Sequence, residues 1–294
     1  MIGRHLAKIR QRSNHPMLVD HAYGKSGVRL VQVTRPGDSH TLRDFTVAIA
    51  FRGDYGASYV DGSNAEVLPT DSMKNTVYAL ASRERLLAPE PFALTLARHF
   101  LAGNPRLASV TVDIQEQLWD HLSVDAHEHG RAFVRQGSET RTARIVATRD
   151  GAEVTAGVAD LVIMKTGHSA FSGFLRDSFT TLAETRDRLL ATSMTATWTY
   201  GTDSTAYAPA WHAVRRTLLE TFATHDSESV QHTLYAMGSA VLDAVADVSD
   251  IHIVMPNRHH IPIDLRPFGR ENRNEIFVAT TEPFGLIEAT IRRS

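Results

Sequence analysis

Phe171 and Arg188 are the residues whose types and spacing most directly point to chemistry. They bracket the stretch Phe171-Ser172-Gly173-Phe174-Leu175-Arg176-Asp177, Thr180-Thr181-Leu182, Glu184-Thr185 and Asp187-Arg188. A planar anion can use both of them. The aromatic face holds a flat ring by stacking, and the guanidinium offers a fork of N–H donors to adjacent acceptors on the ring edge. A plain structural account is also open, with Phe171 in the core and Arg188 in a surface ion pair.

Other stretches offer groups that such a ligand could use. Val230 and Gln231 lie near a helix start after Asp226-Ser227-Glu228-Ser229, and Thr70-Asp71 lie at another. Helix starts expose unpaired N–H groups and attract anions, although Thr70 and Ser229 can equally cap their own helices and Gln231 can be ordinary helix-surface polarity. Lys25 falls between Gly24 and Ser26-Gly27, which reads as a turn with an exposed lysine. Asn257 follows Pro256 at the end of the apolar run Ile251-His252-Ile253-Val254-Met255, where a turn residue closes a strand. Paired imidazoles in His127-Glu128-His129 and His259-His260 are of a type that suits zinc, copper or iron. Neither pair has a complete ligand set at a recognisable spacing, so solvated loop histidines are the simpler account and no metal is expected.

These residues must be positioned by a chain of 294 residues, long enough for one large domain or two of ordinary size. Lys and Arg total 31 against 33 Asp and Glu, so no global nucleic-acid footprint or polybasic membrane surface is indicated and a small partner is expected. Cysteine is absent, which excludes disulfides, thiolate metal sites and cysteine nucleophiles. Residues 1–19 are basic, with Arg4, Lys8, Arg10 and Arg12, yet contain neither the apolar core of a signal peptide nor a spanning run. They read as a terminal arm.

The remainder divides into two stretches, 20–150 and 151–294, with the same element order. In the first, Val28–Thr34 and Thr41–Phe51 read as paired strands around Pro36-Gly37-Asp38, helices start at Thr70-Asp71 and Pro89, and strands resume at Val110–Trp119 and Thr142–Thr148. In the second, strands at Glu153–Lys165 and Arg188–Tyr200 precede helices over Trp211–Thr224 and Ser229–Val245. Strands at Asp250–Met255, Glu275–Ala279 and Leu286–Ile291 finish it. The fold class is α+β, ββααββ twice over, with helix stripes such as Trp211, Val214, Leu218 and Phe222 facing a core.

Gly-Phe-Leu-Arg-Asp at Gly173–Asp177, Thr-Thr-Leu and Asp187-Arg188 together resemble urate oxidase (uricase). The resemblance recurs in order at Tyr23-Gly24-Lys25-Ser26-Gly27-Val28-Arg29-Leu30, at Thr70-Asp71-Ser72-Met73-Lys74-Asn75-Thr76-Val77-Tyr78, at Val230-Gln231 with Leu234-Tyr235, and at Pro256-Asn257-Arg258-His259-His260. It continues to Gly285-Leu286-Ile287. Departures from the family wording are Pro69 before Thr70, Arg258 in place of the common lysine, and a long arm; none removes a catalytic group.

The resemblance implies two tandem tunnelling-fold domains whose antiparallel sheets close into a barrel in a homotetramer, removing exposed strand edges. It implies conversion of urate, dioxygen and water to 5-hydroxyisourate and hydrogen peroxide, without cofactor or metal. In this reading Phe171 stacks on the purine, Arg188 and Gln231 hold its pyrimidine edge, and the backbone at Asp71 and Val230 contacts it. Lys25 and Thr70 form a base diad that His259 extends, and Asn257 holds dioxygen over the ring. The family arrangement puts Lys25, Thr70 and His259 on one subunit and Phe171, Arg188 and Gln231 on its neighbour, so sites form at interfaces. The ending Ile291-Arg292-Arg293-Ser294 differs from the Ser-Lys-Leu type peroxisomal signal of many eukaryotic members, and a cytoplasmic location is expected. Two rival readings remain open: a non-catalytic purine-binding oligomer, and another tunnelling-fold enzyme acting on a purine or pterin.

Overall fold

The computed structural model describes residues 16–201 and 205–293, so most of the expected 1–19 arm lies outside the described residues. Chain order in the first half is β1 (Tyr23–Thr34), β2 (Thr41–Gly53), α1 (Gly56–Val60), α2 (Thr70–Ala81), α3 (Pro89–Gly103), β3 (Leu107–Val124) and β4 (His127–Ala147). The second half runs β5 (Ala152–Lys165), β6 (Leu190–Tyr200), α4 (Tyr207–Thr224), α5 (Val230–Ala244), β7 (Val248–Arg258), β8 (His260–Pro262), β9 (Phe277–Ala279) and β10 (Gly285–Arg292). Apart from the short α1 and the β8–β9 pair, ββααββ occurs twice. The eight long strands form one antiparallel sheet in the order β1-β2-β3-β4-β5-β6-β7-β10. The α+β class expected from the sequence is the class observed.

Alternation within strands decides which face the helices cover. Phe45, Val47, Ile49 and Phe51 of β2 are buried, whereas Thr46, Ala48 and Ala50 between them are only partly so. Met194, Ala196 and Trp198 repeat the pattern in β6. Against this face press Met73 and Val77 of α2, Phe92, Leu96 and Phe100 of α3, Trp211, Val214 and Leu218 of α4, and Leu234, Met237 and Val241 of α5. Burying each such large side chain contributes about 1.5–3 kcal/mol, which is what holds amphipathic helices to a sheet.

A buried ionic cluster sits where the halves join. Glu90, in the first turn of α3, accepts from the Arg141 guanidinium of β4 at 2.7 and 3.0 Å. The Arg141 Cζ lies 5.0 Å over the ring of Trp211 in α4, and the Trp211 indole donates to the Gly157 carbonyl of β5 at 2.9 Å. Glu116 is paired with Arg43 at 2.8 Å and lies 3.9 Å from Arg141; even so, burial pushes its carboxyl above the usual range. Charges sealed this way are tolerated because each has a partner of opposite sign.

Several expectations need correction. The segment around 277–279 does not extend the main sheet: β9 pairs with β8 in a separate two-stranded sheet, because β10 already occupies the free edge of β7. β6 begins at Leu190 rather than Arg188, whose N–H donates to the Ser169 carbonyl instead of to a strand neighbour. Lys25 is not in a turn but inside β1, at a bulge between Lys25 and Val28. Two glycines make that possible: a Cβ at Gly24 would fall 1.9 Å from the Ile49 carbonyl oxygen, and Gly27 takes the left-handed φ of 71°. His127–His129 open β4 rather than being loop histidines, after a turn in which Asp125 and Ala126 adopt φ of 51° and 63°. Among the described residues no helix is long and apolar enough to cross a membrane.

Candidate active site

Irregular chain, rather than a named strand, carries Phe171 and Arg188. Residues 168–171 are clamped on both sides by backbone hydrogen bonds. Ala170 N–H donates to the Ser227 carbonyl at 2.7 Å and Ser227 N–H to that of His168 at 3.0 Å. On the other side Phe171 and Thr185 exchange bonds of 2.7 and 3.0 Å, and Arg188 N–H donates to the Ser169 carbonyl at 2.9 Å. Phe171, Arg188 and the approach to α5 are thus one rigid frame.

This frame forms a wall of a cleft of about 350 Å³, a size suited to a small flat ligand. Phe171, Arg188, Asn257 and His259 all line it, so the structure gathers these four predicted residues in a single chain. The Phe171 ring stacks on Phe174 at 4.9 Å with 15° between planes, and the Arg188 Cζ stands 5.2 Å over the Phe171 ring. Arg188 makes no ion pair among the described residues, and its buried Nε–H has no acceptor. Burial holds the guanidinium below its usual range, which marks it as a cation without a matched anion. Phe171 is only partly buried. The surface ion pair and the core phenylalanine are therefore both ruled out as accounts of this pair.

Another part of the lining comes from residues to which sequence reasoning assigned no role in binding a planar ligand. His260, Ile261 and Pro262 of β8, Phe277 of β9 and Asn274 all face the cleft. Asn272 shapes that part of the lining, its Nδ2 donating to the carbonyls of Ile263 at 2.9 Å and Ile276 at 2.6 Å while its Oδ1 accepts from Glu275 N–H at 3.0 Å and Ile276 N–H at 3.2 Å. Asn274 adopts φ 66°, a conformation asparagine tolerates better than most residues. The turn-forming run Asn272-Arg273-Asn274 was the available signal. Among the described residues no group of three or more His, Asp or Glu side chains is arranged to hold a metal ion.

Lys25, Thr70, Asp71, Val230 and Gln231 do not line the cleft. Lys25 lies in edge strand β1, six strand positions from β7; at about 4.8 Å per position the separation is roughly 29 Å along the sheet. Thr70 and Asp71 open α2, which packs on β1. Pro69 takes the cap position there, so Thr70 does not cap its helix, and no protein acceptor meets the Thr70 and Asp71 N–H groups among the described residues. Lys74 at 2.5 Å, and more weakly Lys25, hold the Asp71 carboxyl below its usual range. In α5 the cap is real: Ser229 accepts from His232 N–H at 3.1 Å. Val230 is core and Gln231 is exposed at the start of that helix, whose lead-in belongs to the Phe171 frame. The expected grouping of His259 with Lys25 and Thr70 is overturned, because His259, two residues after Asn257, shares the cleft with Phe171 and Arg188.

Two ββααββ units on one antiparallel sheet carry an aromatic–guanidinium cleft near one edge and a lysine beside an unsatisfied helix start near the other. That combination defines an α+β tandem-repeat protein equipped for a planar anion. A family model described as Uricase matches residues 21–146 and 154–288. The Arthrobacter globiformis uricase is 41% identical over 277 residues, covering 94% of this chain and 90% of that protein, and the Dictyostelium discoideum uricase is 37% identical over 281 residues, covering 94% and 98%. The crystal structure of the Arthrobacter enzyme superposes with a TM-score of 0.90 at 40% identity, covering 95% of this chain and 96% of that one. The chain belongs to the uricase family.

Proposed function

We infer that this protein oxidises urate, with dioxygen and water, to 5-hydroxyisourate and hydrogen peroxide, using neither cofactor nor metal. The observation that carries the reading is the unmatched, partly buried Arg188 guanidinium over the Phe171 ring, in a cleft that also holds Asn257 and His259. Urate is flat and anionic. Its ring stacks on Phe171, and its pyrimidine edge draws Arg188 into a forked, charge-assisted contact completed by the Gln231 amide and the N–H groups at Val230. An electron-rich urate dianion can pass an electron to dioxygen itself, so the protein needs only to bind, deprotonate and position both reactants. Asn257 holds dioxygen, and later water, against the ring.

Deprotonation falls to Lys25 and Thr70, with His259 relaying the proton. Because Lys25 and Thr70 lie near the opposite sheet edge from the cleft, a complete site needs a second chain. Joining the β1 edge of one chain to the β10 edge of another supplies it and removes both exposed edges. The assembly is a homotetramer with its sheets closed into a barrel. In it, units 20–150 and 151–294 of different chains each give half of every site, Thr70 and Asp71 from one and Phe171, Arg188, Asn257 and His259 from the other. A cytoplasmic location is part of the same proposal, and cell fractionation tests it.

The first experiment adds urate to chelator-treated protein in air-saturated buffer, following urate absorbance, dioxygen uptake and peroxide. Matched consumption is expected. Binding of urate without consumption would replace this reading with a silent purine-binding oligomer, and activity only after adding metal would replace it with a metal-dependent relative.

A further inference from the structure

β6 and β7 lie side by side, and in their register Thr192 stands directly opposite Asn257. Directly opposed residues of an antiparallel pair share a face, with Cβ atoms about 4.5–5.5 Å apart. Their shared face is the helix-covered one, since Met194 and Met255, two residues along each strand, are both fully buried. Thr192 itself is 0% exposed, and its hydroxyl has no hydrogen-bond partner among the described residues. Asn257 is 9% exposed, borders the cleft, and its side-chain amide makes no hydrogen bond among the described residues. On the far flank of Asn257, in the register of β10, stands Gly285, which has no side chain to offer.

A sealed hydroxyl without a partner is costly, and valine would fill the same shape without that cost. An asparagine amide with no partner is equally ill-defined, because it can present either its oxygen or its NH2 to the cleft. Each of these groups can resolve the other. We propose that Thr192 is a positioning residue for Asn257: as the cleft fills, its hydroxyl donates to Asn257 Oδ1 and so fixes the Nδ2 donor toward the reactants. This rests on the urate-oxidising reading for its effect on rate, but not for the contact itself.

Thr192→Val removes the hydroxyl at nearly constant shape. The expected result is a melting temperature equal to or above wild type, a KM for urate within about two-fold, and kcat lowered about ten-fold. Thr192→Ser should recover most of kcat, and Thr192→Val should add nothing in an Asn257→Ala background. Unchanged kcat, failure of the serine variant to recover it, an undiminished effect without Asn257, or loss of the fold in the valine variant would each overturn the proposal. A crystal structure of the wild-type protein with urate judges the contact even if urate is not consumed. Thr192 Oγ1 within about 3.2 Å of Asn257 Oδ1 is expected, and a separation above about 4 Å overturns it.

Discussion

Two inactive variants of this protein should make an active one when mixed. Lys25→Ala damages the β1 half-site and Arg188→Ala the cleft, and roughly 29 Å of sheet separates them within a chain, far beyond the reach of a lysine side chain. Sites that take one half from each of two chains then follow simple counting. In randomly mixed assemblies of the two variants, about one half times one half, or a quarter, of the sites receive both intact halves. Co-expression with two different tags and purification through both isolates the mixed assemblies, and peroxide release with urate loss measures them. Each variant alone should sit at background and the mixture near a quarter of wild type per site. A second mixture sharpens the test: wild type with the Lys25→Ala/Arg188→Ala double variant gives about a quarter of the sites if they are shared, but about a half if each chain carries its own. Background activity in assemblies carrying both tags, or the higher figure in the second mixture, would refute the shared site.

Other predictions follow from single contacts. Arg188→Lys keeps the charge but loses the planar fork, and KM for urate should rise about 10- to 100-fold; an unchanged KM would remove Arg188 from the substrate grip. Arg141→Met leaves Glu90 and Glu116 buried beside a missing cation and should cost about 3–5 kcal/mol, a fall in melting temperature of at least about 6 °C. Burial already raises the Glu116 carboxyl, and losing Arg141 raises it further, so the folded variant binds a proton that the unfolded chain releases as pH climbs above the ordinary carboxylate range. Stability then falls as pH rises through that window, and the deficit against wild type should be larger at pH 8 than at pH 5; equal deficits in denaturant melts would contradict it. Ser229→Ala removes the acceptor for His232 N–H and should lower stability by about 1 kcal/mol in the same melts.

The sequence was most legible where periodicity meets burial. The stripe Trp211, Val214, Leu218, Phe222 and the alternation Phe45, Val47, Ile49, Phe51 name their elements and their buried faces outright. It was least legible where backbone bonds replace pattern. Nothing in the spacing of Ser169, Thr185 and Ser227 announces that their main chains interlock, yet that interlock aims Phe171 and Arg188. The β8–β9 wall was hidden for a related reason: three-residue strands are too short to show a period, and the Asn272 side chain, rather than a hydrophobic stripe, holds their loop. Lys25 looked like a turn residue because Gly24 and Gly27 are turn chemistry, whereas here they admit a close strand and a bulge. His259 is a different case, since its adjacency to Asn257 along the chain was legible and ties it to the same cleft.

The β4–β5 hairpin, with the turn at Thr148–Gly151, makes the two halves interdependent in a way their matching element order conceals. Eight residue pairs from Thr140↔Ala159 to Ala147↔Ala152 stitch β4 to β5, and the Arg141 guanidinium of the first half rests on the Trp211 ring of the second. Either half made alone would present a raw central strand and a stranded charge or an uncovered indole, the makings of an aggregate rather than a domain. A protease nick or a gene split within the turn, with both pieces present, severs one exposed connection and leaves that whole seam intact. This seam predicts that the two halves unfold together in a single transition, and the turn is the place to open the chain for circular permutation.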